Sequence, residues 1–234
     1  MVGTGIDFVT QLTPGARAAI ASSDEVLYLV ADSLSALRLT ELNPRTRSLD
    51  GFYAPGKDRR QTYAEIVDEI VGAVVAGARV CTVLYGHPGI FAYPGHEAIA
   101  QVRDAGLPTR MLPAVSALDC LVADLGIDPA RTGMQSYEAT DFLQRRPPVD
   151  LEATLVLWQV GMIGERGGAA SAAVQPRFEL LLEALRSLYG DAQTAILYEA
   201  SPYPGSRPLV THLRLGDPDR PSPSVLSTLC VSPR

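Results

Sequence analysis

An α/β fold with largely parallel strands is what this sequence predicts, because short β-rich runs such as "EVLYLVA" and "RVCTVLYG" alternate with amphipathic helical stretches such as "QTYAEIVDEIVGAVVAG". Glycine turns stand at two strand ends, "GTGI" at residues 3–6 and "YGHPGIF" at 85–91, the place where open α/β sheets present ligands. With 234 residues, 47% of them hydrophobic and 20% charged, the chain holds enough apolar material for a core without metal or disulfide staples.

Taken in order, "MVGTGI" reads as a strand end turning into a glycine loop. "TPGARAAIASS" reads as a helix with Thr13 as N-cap and Pro14 at the first helical position, where the missing N–H costs nothing. "EVLYLVA" is the next strand. The following helix places Tyr63, Ile66, Ile70 and Val74 on one face and stops at Gly77, a natural C-cap. Strand "RVCTVLYG", helix "HEAIAQVRDAG" and strand "PTRMLPAV" complete a first unit. A second opens with helix "SALDCLVADLG" and runs through "LEATLVLWQVG", helix "FELLLEALRSLYG" and strand "TAILYEA". It closes with late strands near "RPLVTHLRL" and "VLSTLCV". The boundary is expected near Pro113, giving domains 1–113 and 114–234. Residues 162–177, "MIGERGGAASAAVQPR", read as a mobile surface loop.

The balance of charge and cysteine narrows the function classes. Net charge is −6, and the single lysine is Lys57, so the basic side chains are almost all arginine and are scattered. Nucleic-acid binding, which needs a basic stripe, is disfavoured. Cys81, Cys120 and Cys230 lie far apart in apolar surroundings, which predicts reduced, buried thiols and a cytoplasmic location. The start lacks a signal-peptide pattern, and no window is apolar enough to span a membrane. His87, His96 and His212 show no metal-ligand spacing, so no metal is expected. Lys57 sits in the charged loop "APGKDRR", not in the apolar pocket that Schiff-base chemistry requires.

The loop "GTGI" falls short of a full dinucleotide fingerprint, since Phe8 stands where a third glycine belongs and no acidic residue closes the second strand at Leu29 or Val30. Alone it reads as a plain tight turn. A wider pattern settles more. The stretches "VGTGI", "VLYLVADS", "LNPRTRSL", "YGHPGIFAYPGHEAIA", "MLPAVSALDCLVADLGIDP", "QSYEATDFL" and "LWQVG" occur in one order. Together they resemble the tetrapyrrole methylase superfamily, and within it the peptide backbone N-methyltransferases of the borosin pathway. The resemblance runs from about residue 2 to 165 and returns at "STLCVSP".

The resemblance implies a two-domain α/β fold with S-adenosyl-L-methionine (SAM) in the interdomain cleft, bound mostly through backbone groups. By motif, Gly3 and Gly5 line that cleft, and Gly86, Pro88, Ile90 and Phe91 surround the methionine part. Ser116 and Ala117 begin a helix whose free N–H groups face the SAM carboxylate. Gln159 and Val160, with Tyr137, approach adenine and ribose. His87 replaces the aspartate of the usual Gly-Asp-Pro loop, as in the borosin group; it reads as a loop histidine with a satisfied hydrogen bond or as a chemical participant. The motif also matches Tyr53, Arg59 and Tyr63 to the borosin Tyr, Arg and Tyr, with Tyr85 following.

Methylating a peptide amide is hard because the nitrogen lone pair is delocalised into the carbonyl. Tyrosines beside an arginine suit the task, since the cation favours tyrosinate and lowers a pKa that starts near about 10. Tyr53 is assigned as candidate base, Arg59 as its electrostatic partner and oxyanion stabiliser, and Tyr63 and Tyr85 as positioners, with exchangeable roles. Tyr63 alone reads as a core aromatic, and Arg60 competes with Arg59 for the site. A family tyrosine three residues before Tyr53 is Asp50 here.

The chain stops at "STLCVSPR", so the precursor peptide is expected on a separate chain, and the resemblance implies a homodimer. A corrinoid or porphyrin methyltransferase and a non-catalytic SAM- or precursor-binding module are the competing readings.

Overall fold

The computed structural model describes residues 1–54, 56–165 and 174–234. Two compact units emerge: Met1–Cys120 with Ser201–Ser206, and Leu121–Ala200 with Arg207–Arg234. The division falls between Cys120 and Leu121, inside the helix Ala117–Leu125, whereas the sequence reading placed it near Pro113.

The first unit contains β1 (Val2–Gly3), α1 (Phe8–Gln11), α2 (Pro14–Ser22), β2 (Glu25–Leu29), α3 (Ser33–Leu42), β3 (Thr46–Ser48), α4 (Arg59–Val75), β4 (Val80–Leu84) and α5 (Tyr93–Asp104). Its sheet is parallel throughout, in the order β1-β4-β2-β3. Parallel sheets need cover on both faces, and the side-chain alternation supplies it. Val26, Cys81 and Val83 pack with Ala16, Ile20 and Leu39 on one side. Leu27 packs with Ile66, Val67, Ile70 and Ala98 on the other. The expected caps form: Thr13 accepts from Ala16 N–H at 3.1 Å, and Pro14 occupies the first turn of α2.

Helix α4 starts at Arg59, so both arginines fall in its first turn, and Thr62 takes the buried position beside Ile66 while Tyr63 stays half-buried. Residues 108–115, expected as a strand, form none. Pro108 and Pro113 carry no N–H, and the segment is tied to the chain start by Leu112 N–H on Met1 O at 3.0 Å and by the Met1 amine on Arg110 O at 2.8 Å.

The second unit follows with α6 (Ala117–Leu125), α7 (Pro129–Thr132), β5 (Met134–Glu138), α8 (Ala139–Arg145), β6 (Thr154–Trp158), α9 (Val174–Tyr189), β7 (Thr194–Glu199), β8 (Leu209–Arg214) and β9 (Thr228–Val231). Its sheet is mixed, in the order β5-β6-β9-β7-β8, with β5 and β6 parallel and the remaining pairs antiparallel. The last strand, β9, inserts between β6 and β7, which a reading of consecutive β-α units does not foresee. Helix α9 buries Phe178, Leu181, Leu182, Leu185 and Tyr189 against Leu155, Leu157, Leu197 and Leu229. Of the loop expected at 162–177, Val174–Arg177 belong to α9 and residues 166–173 lie outside the described ones.

Cys81 and Cys230 are buried free thiols, whereas Cys120 is half-buried and its Sγ accepts from Gln11 Nε2 at 3.7 Å. Among the described residues no helix is long and apolar enough to cross a membrane. Phe178 is fully buried in the α9 core, so Phe178→Ala is expected to cost about 3–5 kcal/mol in urea denaturation, and a loss below about 1 kcal/mol would show that the α9 seam does not hold this unit together.

Candidate functional site

The ends of β1 and β4 are joined backbone to backbone. Gly5 N–H donates to Gly86 O at 3.3 Å and Gly86 N–H to Gly5 O at 3.1 Å, an antiparallel bridge that follows a parallel pair. Both glycines have positive φ, 74° and 68°, which β-carbon-bearing residues adopt only with strain. A Cβ on Gly3 would stand 2.0 Å from Gly86 O and 2.8 Å from Pro88 Cδ, so the bare strand end serves the approach of the two loops to one another. Gly3 and Gly5 are buried in that contact and do not form an open lining.

Beyond it, His87 Nδ1 accepts from Gly89 N–H at 3.0 Å, and His96 Nε2 lies 2.9 Å from Gly89 O, so two histidines brace the loop. His87 therefore has the hydrogen-bonded loop role that its sequence context allowed. Pro88 is buried, while Ile90 and Phe91 are 41% and 50% exposed, and Phe91 adopts φ 51°. Two large apolar side chains are thus held out on a braced loop.

Tyr53 caps a short 3-10 turn at Asp50–Phe52, its N–H on Asp50 O at 3.0 Å, and packs against the Leu27–Ile66 core. Burial is the largest influence on its phenol, joined by the nearby Tyr63 and Asp50; together they override the opposing pull of Arg59 and push the pKa up to about 12. The expected lowering by arginine is thus outweighed by desolvation. Arg59 is half-buried and its Nε is buried without a hydrogen-bond partner among the described residues. Arg60 is exposed and lines a cavity of about 480 Å³ between α4 and α5 with Tyr63, Asp68, Tyr93 and Glu97. The Tyr63 ring stacks on Tyr93 with centroids 6.1 Å apart, which places it on the side of the glycine loop's exit. Burial, then Cys120 and Asp32, raise Tyr85 to about 12 as well. Asp50, standing where the family has a tyrosine, is exposed and accepts from Ser48 Oγ at 2.8 Å, closing its own turn.

At the helix that starts beside Ser116, two N–H groups are already bonded within the chain. Ser116 N–H and Oγ both donate to Asp119 Oδ2, at 2.7 and 2.6 Å, and Asp119 N–H returns to Ser116 Oγ at 3.3 Å. This is a capping box with aspartate as the acidic partner, legible in sequence as Ser-x-x-Asp. Burial raises the Asp119 carboxyl, but the Ser116 hydrogen bonds and the nearby His87 outweigh it and hold the pKa below the ordinary value. Ala117, half-buried, is the first residue of the helix.

The remaining named residues belong to the second unit. Tyr137 packs on Phe142 at 5.8 Å and serves that unit's core. Val160 is fully buried, and its N–H donates to Ser227 O at 3.3 Å, so neither its side chain nor its N–H is free for a ligand. Gln159 is half-buried in the left-handed region, φ 58° and ψ 35°. Among the described residues no cluster of His, Cys, Asp and Glu is arranged to hold a metal.

Residues 1–215, which span the parallel unit with its glycine-bridged loop and most of the mixed-sheet unit, match the family of Tetrapyrrole (Corrin/Porphyrin) Methylases. The chain belongs to that family. Among similar proteins, the methyltransferase and ribosomally synthesized cyclic peptide gymnopeptides precursor of Gymnopus fusipes is 37% identical over 215 residues, covering 92% of this chain and 51% of that one. A methyltransferase and type I borosin cyclic peptide precursor of Coprinopsis marcescibilis is 37% identical over 220 residues, covering 92% and 56%. In fold, uroporphyrin-III C-methyl transferase from Thermus thermophilus complexed with S-adenyl homocysteine superposes with TM-score 0.61 at 18% identity, covering 99% of this chain and 95% of that one. The chain spans about half the length of the curated relatives it matches.

These relatives correct one expectation. Both are named as methyltransferase and precursor in a single chain, which overturns the reading of a precursor on a separate chain.

The raised Tyr53 and Tyr85 phenols make stability pH-dependent at the alkaline end. Each has a folded pKa above the unfolded value, so each contributes stability that is complete below about pH 10 and is lost as pH rises toward about 12. Urea midpoints measured across that window are expected to fall in the wild type and to fall less in Tyr53→Phe; identical slopes would contradict the burial-driven shift.

Proposed function

We propose that the chain methylates backbone amide nitrogens of a precursor peptide, with SAM as methyl donor. The supporting observation is the electrostatic proximity of Tyr53, Tyr63 and Arg59, whose buried Nε has no hydrogen-bond partner among the described residues, in the unit that carries the glycine-bridged loop. The identity to cyclic-peptide methyltransferases supports the peptide as substrate class.

The loop fits SAM in kind: its exposed Ile90 and Phe91 offer apolar cover to a methionine chain, and its turn is held rigid by glycine backbone and histidine. When bound, SAM supplies an electrophilic methyl group on a cationic sulfur. The protein's part is to raise the amide nitrogen's reactivity. Arg59 carries an N–H with no hydrogen-bond partner among the described residues, suited to an amide oxygen that gains charge as the nitrogen loses its proton. Tyr53 takes that proton as phenolate. With a phenol near about 12, roughly one molecule in 10⁴ is ionised at about pH 8, so Tyr53 is a strong base that is seldom present in basic form. Tyr63, stacked on Tyr93, holds the flank of the site.

Two measurements test this reading. Appending the precursor segment of the Gymnopus fusipes relative behind Arg234 and fragmenting the purified chimera in a mass spectrometer should locate methyl groups on backbone nitrogens, absent in Tyr53→Phe and Arg59→Ala. Methyl groups on carbon or side chains, or SAM binding in calorimetry with an unmodified peptide, would contradict it. The rate should also climb about tenfold per pH unit over about pH 7 to 9, and a flat profile removes Tyr53 as base.

A further inference from the structure

Glu199, the last residue of β7, accepts two short hydrogen bonds on one oxygen: from Ser224 Oγ at 2.6 Å and from Ser227 Oγ at 2.5 Å. Ser227 is fully buried, and the 224–227 turn closes on itself, with Ser224 N–H on Ser227 Oγ at 2.8 Å and Ser227 N–H on Ser224 O at 3.1 Å. A hydroxyl has one proton. Because Ser227 spends it on Glu199, its lone pairs are left to accept from Ser224 N–H, so the carboxylate sets the direction of the whole turn.

Both carbonyls of this turn reach the segment that begins at Gln159. Ser227 O accepts from Val160 N–H at 3.3 Å, and Ser224 O lies so near Gly161 that a Cβ there would stand 1.9 Å away. Gln159 itself, a non-glycine residue at φ 58°, holds a conformation that persists only where the surroundings over-determine it. Val160 N–H and Gly161 are fastened to the one turn that Glu199 fastens.

We propose that Glu199 is a positioning residue for the cofactor: through Ser224 and Ser227 it imposes the left-handed Gln159, the residue the methylase reading assigns to the adenine and ribose of SAM. The inference rests on that reading. Glu199 touches no reacting atom. Its removal frees two hydroxyls, relaxes the turn and releases Gln159 from the left-handed region before any ligand arrives.

Calorimetry with S-adenosylhomocysteine as probe, paired with thermal melting, tests it on Glu199→Ala, Glu199→Gln and the double variant Ser224→Ala/Ser227→Ala. Kd should weaken about tenfold in Glu199→Ala and in the serine double variant, and stay within about threefold in Glu199→Gln, whose amide oxygen still accepts. On the appended-peptide chimera, KM for SAM should rise by the same factor with kcat at saturation unchanged. Folded variants that bind as the wild type does, including variants that merely melt earlier, overturn the proposal and leave Glu199 a structural residue. If Glu199→Ala does not fold, the glutamine and serine variants decide. A wild type that fails to bind the probe removes the methylase reading and this inference with it, whereas a binding wild type with equally binding variants removes the inference alone.

Discussion

The site depends on one backbone contact, the paired hydrogen bonds between Gly5 and Gly86. Parallel neighbours β1 and β4 would ordinarily diverge where their ladder ends, but the bridge holds their two exit loops together. Side chains are excluded there by distance: Gly3 has no room for a Cβ beside Gly86 O. Everything named in the first unit hangs from this junction. Tyr85 precedes it, His87 to Phe91 follow it, and Tyr93 beyond them meets Tyr63 of α4. A loop so fixed loses little conformational freedom when a ligand binds, which is the physical value of pre-organisation.

Electrostatics in the same unit is a contest between desolvation and charge. Desolvation wins at Tyr53, in spite of Arg59, and wins at Tyr85. Hydrogen bonding wins at Asp119, where Ser116 offsets a carboxyl that burial would otherwise raise. The outcome differs because Asp119 receives direct donors and Tyr53 receives only a neighbouring cation. At the start of α6 the Asp119 carboxylate itself accepts from Ser116 N–H and Oγ.

Most elements were legible because their signals are local. Thr13-Pro14 announces α2, and the spacing of Ile66 and Ile70 announces the buried face of α4. The segment 108–115 does not form the expected strand: it carries two prolines, and its hydrogen bonds to Met1 do not extend into a ladder. The mixed second sheet was not legible, since the insertion of β9 between β6 and β7 is decided by long-range pairing. Of the candidate site, the loop and the Tyr53–Arg59–Tyr63 group carry local motifs, whereas only the structure shows that Arg59 is half-buried while Arg60 is exposed and lines the α4–α5 cavity with Tyr63. Val160 and Tyr137 fit the motif but belong to the second core, and Glu199 gave no sequence signal because its partners are 25 and 28 residues away.

Family membership is carried by residues 1–215. The most direct measurement is a crystal structure of the chain with S-adenosylhomocysteine bound. The account predicts its methionine part against Gly86–Phe91, with the sulfur facing Tyr53 and Arg59. The ligand seated elsewhere, as in the apolar groove beside Met1, Val80 and Arg110, would contradict it.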